Sequence, residues 1–288
     1  MTRIIAPREH DLGGGFIVRR AVPTLQARSI GPFVFVDHMG PAVFEPGTGI
    51  DVRPHPHIGL ATVTFLWAGT IRHRDSLGSI QDIEPGDVNW MTAGRGIAHS
   101  ERSPPQVRAD AHPAHGMQTW VGLPKAHEET APAFHHHAAA TLPQLRHGGA
   151  LLRVIAGRAY GEESPVRSFS EILNVAIDLA PDAETRIDAG HRERALYVLE
   201  GSAQLDGADI PARHLVTIDP GAPATLRAMT PLKAMLFGGE PLDGDRRVWW
   251  NFVSSSRERI EQAKEDWRQG RFGRIPGDEE EFIPLPEK

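Results

Sequence analysis

The stretch PHPHIGLATVTFLWAGTIRHRDSLGSIQDIEPGDVNWMTAGRGIAHSE, residues 54–101, decides how the chain is read. Within it, Leu60 to Trp67 and Val88 to Met91 are short runs rich in β-branched, aromatic and other apolar residues, which suits strands. Ala68-Gly69 and Pro85-Gly86-Asp87 supply the turns between them. Similar runs recur outward from this stretch at intervals of roughly ten residues, a spacing that predicts an all-β sandwich or barrel. They are Phe33 to Val36, Met117 to Val121, Leu151 to Ile155, Ile172 to Leu179, Ala195 to Leu199, Ala203 to Leu205, Leu215 to Ile218 and Lys233 to Phe237. One segment reads as a short C-terminal helix: Ser256 can cap it, Ile260, Ala263 and Trp267 form an apolar stripe, and Gly270 can end it.

The chain has 288 residues, enough for two domains each with its own core. A weak internal repeat supports that division. FLWAGTIRHRD turns back at Gly69 as YVLEGSAQLDG does at Gly201, and each is followed by a proline-marked turn and a further β pattern. After Leu123 the strand pattern lapses into PKAHEETAPAFHHHAAATLPQLRHGG, read as the connection. The expected domains are residues 1–132 and 133–288.

A net charge of -6 offers no overall attraction to nucleic acid or anionic lipid. No apolar run is long enough to span a membrane, and MTRIIAPREHDLGGG has no signal-type apolar core, so a cytoplasmic protein is expected. The chain contains no cysteine, so any metal must be held by nitrogen and oxygen.

Strand alternation puts His55 and His57 on one face, and His99 and Glu101 repeat the arrangement in GRGIAHSERSPP. Two same-face pairs from two β segments can aim four side chains at one interior point. Three neutral imidazoles and a carboxylate suit a borderline divalent ion and leave coordination positions open. Counting back from the matched glycines gives Ile187 and Ala189 as second-half equivalents of His55 and His57. Those of His99 and Glu101 fall near Thr225 and Arg227, so one metal per chain is expected.

The segments GPFVFVDHMGPAVF and 54–101 resemble the signature of the pirins, a branch of the cupin superfamily, and GMQTWVGLP and GRFGRIPGDEEEFIPLP extend the likeness. The resemblance implies two tandem cupin (jelly-roll) barrels, with an N-terminal iron site on His55, His57, His99 and Glu101 and a C-terminal barrel lacking ligands. Fe(II) is the expected ion, with Mn, Ni, Cu and Zn as alternatives. Ordinary cupins carry a glutamate just after the His-x-His pair; here that region reads IGLATV, and Glu101 supplies the carboxylate.

The resemblance also implies a dioxygenase of the quercetin 2,3-dioxygenase type, acting on a flavonol and O2, with Glu101 as catalytic proton acceptor. The rival from the same family is a metal-dependent, redox-responsive regulator that binds a transcription complex or a metabolic enzyme. Other residues are given plainer roles: His135, His136 and His137 a solvated loop, Asp37 and His38 local hydrogen bonding in a turn, and Asp278 to Glu281 a solvated tail. Gln118 and Trp120 share a face and could line the metal cavity.

Overall fold

In the computed structural model, which describes residues 2–11 and 16–287, the chain forms two compact units. One comprises Met1–His10, Arg19–His38 and Ala140–Leu242; the other comprises Asp11–Val18, Met39–Ala139 and Asp243–Lys288. The expected cut between residues 132 and 133 does not describe these units, because residues 243–288 pack with the strands of the first half. Phe252, Ile260, Ala263, Phe272 and Ile275 bury themselves against Ile58 and Ala98. Each large side chain so buried contributes about 1.5–3 kcal/mol.

The unit with the histidines contains strands Asp51–His57 (β1), Leu60–Ala68 (β2), Ile71–Asp75 (β3), Ile80–Ile83 (β4), Val88–Thr92 (β5), Ile97–Arg102 (β6), His112–Gly122 (β7) and Ala133–His137 (β8). A four-stranded sheet runs β1-β6-β3-β4, and a larger sheet contains the order β8-β5-β2-β7. The other unit repeats the plan with Ile172–Leu179 (β9), Glu184–Ile187 (β10), Glu193–Glu200 (β11), Ala203–Leu205 (β12), Ala208–Ile210 (β13), Leu215–Ile218 (β14), Ala224–Ala228 (β15) and Leu232–Gly239 (β16). Its small sheet runs β10-β15-β12-β13 and its larger one contains β14-β11-β16-β9. Each unit is thus a jelly roll of the cupin type, and the fold is all-β but for short helical segments.

The repeat turns match in detail. Gly69 and Gly201 have φ of 89° and 81°. A Cβ at Gly69 would lie 2.3 Å from the Pro113 carbonyl oxygen, and one at Gly201 would lie 2.2 Å from that of Pro231. Only glycine fits both the positive φ and the close approach.

The second barrel carries neither imidazole nor carboxylate where the first carries its histidines. Matching the ladders β1–β6 and β10–β15 puts Thr185 and Ile187, not Ile187 and Ala189, at the places of His55 and His57, and Leu226 at that of His99. Ile187 and Leu226 belong to the apolar core there.

Two further expectations are corrected. Residues 135–137 are not a loop: they lie in β8, paired with β5, and His136 Nδ1 sits 2.8 Å from Asn89 Oδ1. Asp37 and His38 lie in a long strand, Phe33–Phe44, rather than a turn. Asp37 accepts two hydrogen bonds from Arg20, at 2.9 and 2.8 Å, and His38 Nδ1 meets the Tyr197 hydroxyl at 3.2 Å. The C-terminal helix is Arg257–Arg268, where the Ser256 hydroxyl accepts from the Arg259 N–H and Gly270 follows in left-handed φ.

Candidate metal centre

β1 and β6 pair so that His55 stands opposite His99, and His57 opposite Ile97. Alternation keeps His55 and His57 on one face, with ring centroids 4.9 Å apart; His99 lies 4.4 Å from His55 and 5.0 Å from His57. One donor atom from each of the three falls within 4.8 Å of the others. Beyond His99 and His55 the ladder slips, so that Arg53 and Pro54 together face Ser100 alone. A bulge of this kind re-aims side chains, and proline is tolerated there because the ladder hydrogen bond is already lost.

The imidazoles are anchored through Nδ1. That of His55 donates to the Arg53 carbonyl at 2.8 Å, and that of His57 to the Asn251 carbonyl at 3.1 Å. Both leave Nε2 free to turn inward. His99 Nε2 is buried with no hydrogen-bond partner among the described residues. An orphaned buried nitrogen is costly unless something unseen completes it.

His55, His57 and His99 are 6%, 1% and 1% exposed. Burial lowers the His55 pKa to about 4, against a smaller upward effect of the Arg53 carbonyl. His57 and His99 are pushed well below the ordinary range, first by burial and then by repulsion from neighbouring imidazoles. All three are therefore neutral at pH 7, the form that binds metal. Nitrogen donors, neutrality, Nδ1 anchoring and an unsatisfied Nε2 together fit a divalent ion.

Glu101 stands outside that three-nitrogen group. It follows His99 past the slip and pairs across the ladder with His73. The Thr64 hydroxyl lies 3.2 Å from its carboxylate and 2.7 Å from Gln118 Oε1. Burial raises the Glu101 pKa, opposed by His73 and the Thr64 hydrogen bond. The Trp120 ring meets His57 edge to face at 5.0 Å. Trp120 thus approaches the cluster, whereas Gln118 meets Thr64.

Sequence reasoning passed over His73, Asp75, Thr64 and Asn251. His73 and Asp75 share the two-residue spacing of His55 and His57, but RHRD read only as part of the internal repeat. Asn251 acts through its carbonyl, which no side-chain pattern reveals. The tail is also more than solvated charge: Arg102, beside Glu101, donates to Asp278 at 2.7 and 2.9 Å and to Glu281 at 2.8 Å.

A hollow of about 360 Å³ belongs to the other unit and is lined by residues including Tyr160, Leu173, Ile187, Asp188 and Leu236. Its walls include none of the four predicted ligands, and the Tyr160 hydroxyl is itself buried with no hydrogen-bond partner among the described residues. Nitrogen donors converge at the histidines and not along this hollow.

Two jelly rolls in one chain, one of them bearing a cluster of three buried imidazoles, define a two-cupin protein. A family model described as pirin matches residues 15–121, and one described as the pirin C-terminal cupin domain matches residues 174–273. The sequence is 47% identical to a pirin-like protein of Caulobacter vibrioides over 97% of each chain. The chain belongs to the pirin family. Its structure superposes with a TM-score of 0.93 on a crystal structure described as quercetin 2,3-dioxygenase from Acinetobacter baumannii, at 34% identity, covering 100% of this chain and 95% of that one. A bacterial pirin from Escherichia coli in complex with nickel(II) shares the fold, with a TM-score of 0.66 at 17% identity over 84% of this chain and 100% of that one.

Proposed function

We propose that this chain holds one divalent metal ion, iron in the cell, on His55, His57 and His99, with Glu101 as fourth ligand. We assign it dioxygenase activity on a flavonol such as quercetin. The observation that carries this reading is the convergence of three neutral, buried imidazoles whose Nδ1 atoms are already engaged. The similarity to the Acinetobacter baumannii protein supports the reaction class. When bound, the ion supplies Lewis acidity and a redox-capable centre with open coordination positions.

The protein's own groups do the rest. Burial makes Glu101 more basic than a surface carboxylate, which suits it to take the proton of a substrate hydroxyl. The Thr64 hydroxyl, 3.2 Å from that carboxylate, is within reach to donate to it. Trp120 forms an aromatic wall beside His57, against which a flat ring can lie.

The test is aerobic consumption of quercetin, followed with oxygen uptake, by protein loaded with Fe(II) beside the metal-free form. Metal-dependent turnover is expected, and Glu101→Gln should lower it at least ~100-fold while retaining some metal. A wild type that binds iron yet consumes no oxygen with a flavonol would replace this reading with the regulatory one, a metal-responsive surface for a protein partner.

A further inference from the structure

The three imidazoles are not held alike. His55 and His57 turn Nδ1 toward backbone carbonyls, whereas His99 Nδ1 faces another histidine, 3.4 Å from His73 Nδ1. Only one of those two nitrogens can carry the hydrogen between them. His73 Nε2 lies 3.1 Å from Asp75 Oδ2, and Asp75 Oδ1 accepts from the N–H groups of Leu77 and Ser79, at 2.9 and 3.0 Å. A carboxylate engaged in this way only accepts, so in the neutral imidazole the His73 proton sits on Nε2 and Nδ1 keeps a lone pair. His99 must then donate from Nδ1, which leaves a lone pair on its orphaned Nε2.

We propose that His73, fixed by Asp75, is a positioning residue that sets the His99 tautomer and strengthens His99 as a metal ligand. The inference rests on the reading of the cluster as a metal site. The geometry is well fastened. His73 and Asp75 are buried, Phe134 stacks on the His73 ring at 4.2 Å and 10°, and the β6–β3 ladder sets His99 opposite Asp75 and Glu101 opposite His73. Hydrogen-bond acceptors behind a ligating histidine raise its basicity, and their loss lowers metal affinity about 10- to 100-fold.

The test measures Zn(II) affinity by competition with a chromophoric chelator. His73→Phe keeps the stacking on Phe134 and loses both hydrogen bonds; it should bind Zn(II) about 10- to 100-fold more weakly. In His73→Asn the amide oxygen can accept from His99 Nδ1–H, so most of the affinity should return. Long-range ¹⁵N NMR of the Zn(II)-loaded wild type should find His73 protonated at Nε2 and His99 at Nδ1. The proposal is overturned by wild-type affinity in His73→Phe, by equal weakness in the two variants, or by a His73 proton on Nδ1. If circular dichroism shows His73→Phe unfolded, the wild-type tautomers and the asparagine variant decide. A wild type that takes up no metal overturns the metal reading itself, an outcome distinct from unchanged affinity in the variant.

Discussion

A histidine buried as deeply as His55 makes stability depend on pH. Its pKa is about 4 in the folded protein and near 6.5 when the chain is open. The unfolded state therefore binds the extra proton first as pH falls, and stability present above pH 6.5 drains away down to about pH 4. One imidazole shifted this far accounts for about 3 kcal/mol, and His57 and His99 act in the same direction. Urea unfolding of the metal-free protein at steps from pH 7.5 to 4 should show the midpoint falling through that window; a flat profile would contradict the burial. These histidines were legible because alternation alone puts residues two apart on one face. The groups behind them were not: a carbonyl such as that of Asn251 leaves no mark in a side-chain pattern, and His73 could be linked to His99 only once strand pairing was known.

At the level of strands and turns, what could be read locally was read well. The helix capped by Ser256, and the runs that became β2, β5 and β7, depend on near neighbours in sequence. Residues 135–137 depend on a partner instead: β8 is polar and alanine-flanked and is a strand only because β5 offers it a free edge. The tail likewise looked like solvated charge until Arg102 gave it an anchor. The turn after β2 supports a sharper expectation. Gly69→Ala would force a side chain into left-handed φ and onto the Pro113 carbonyl, costing on the order of 2–4 kcal/mol. Thermal unfolding should show this loss for Gly69→Ala and a comparable one for Gly201→Ala, whereas alanine at the open turn position Gly78, where a Cβ meets nothing within 4 Å, should cost less.

For the molecule as a whole, the apolar cores contain none of the candidate ligands. One is the apolar set around Leu66, Ile71 and Ile83; another is that of Phe252 with the C-terminal helix; a third fills the second barrel. His57→Ala should therefore release most of the metal and keep the β signature in circular dichroism. At a metal concentration 100 times the wild-type Kd it should forgo about 2.7 kcal/mol of metal-linked stability. Collapse of the fold in that variant would show that the ion holds the barrel together. The tandem barrels could be foreseen from the repeat, but not the interleaving of the two units. The unit with the histidines is interrupted in sequence by residues 140–242, and the carbonyl that orients His57 comes from Asn251, 194 positions later. On a ribosome adding about 5–20 residues per second, that separation is a wait of about 10–40 s. His55, His57 and His99 emerge early, yet their setting is finished only after the intervening barrel has been translated, so a newborn chain passes through a period in which its imidazoles are present but the pocket that selects their ion is not.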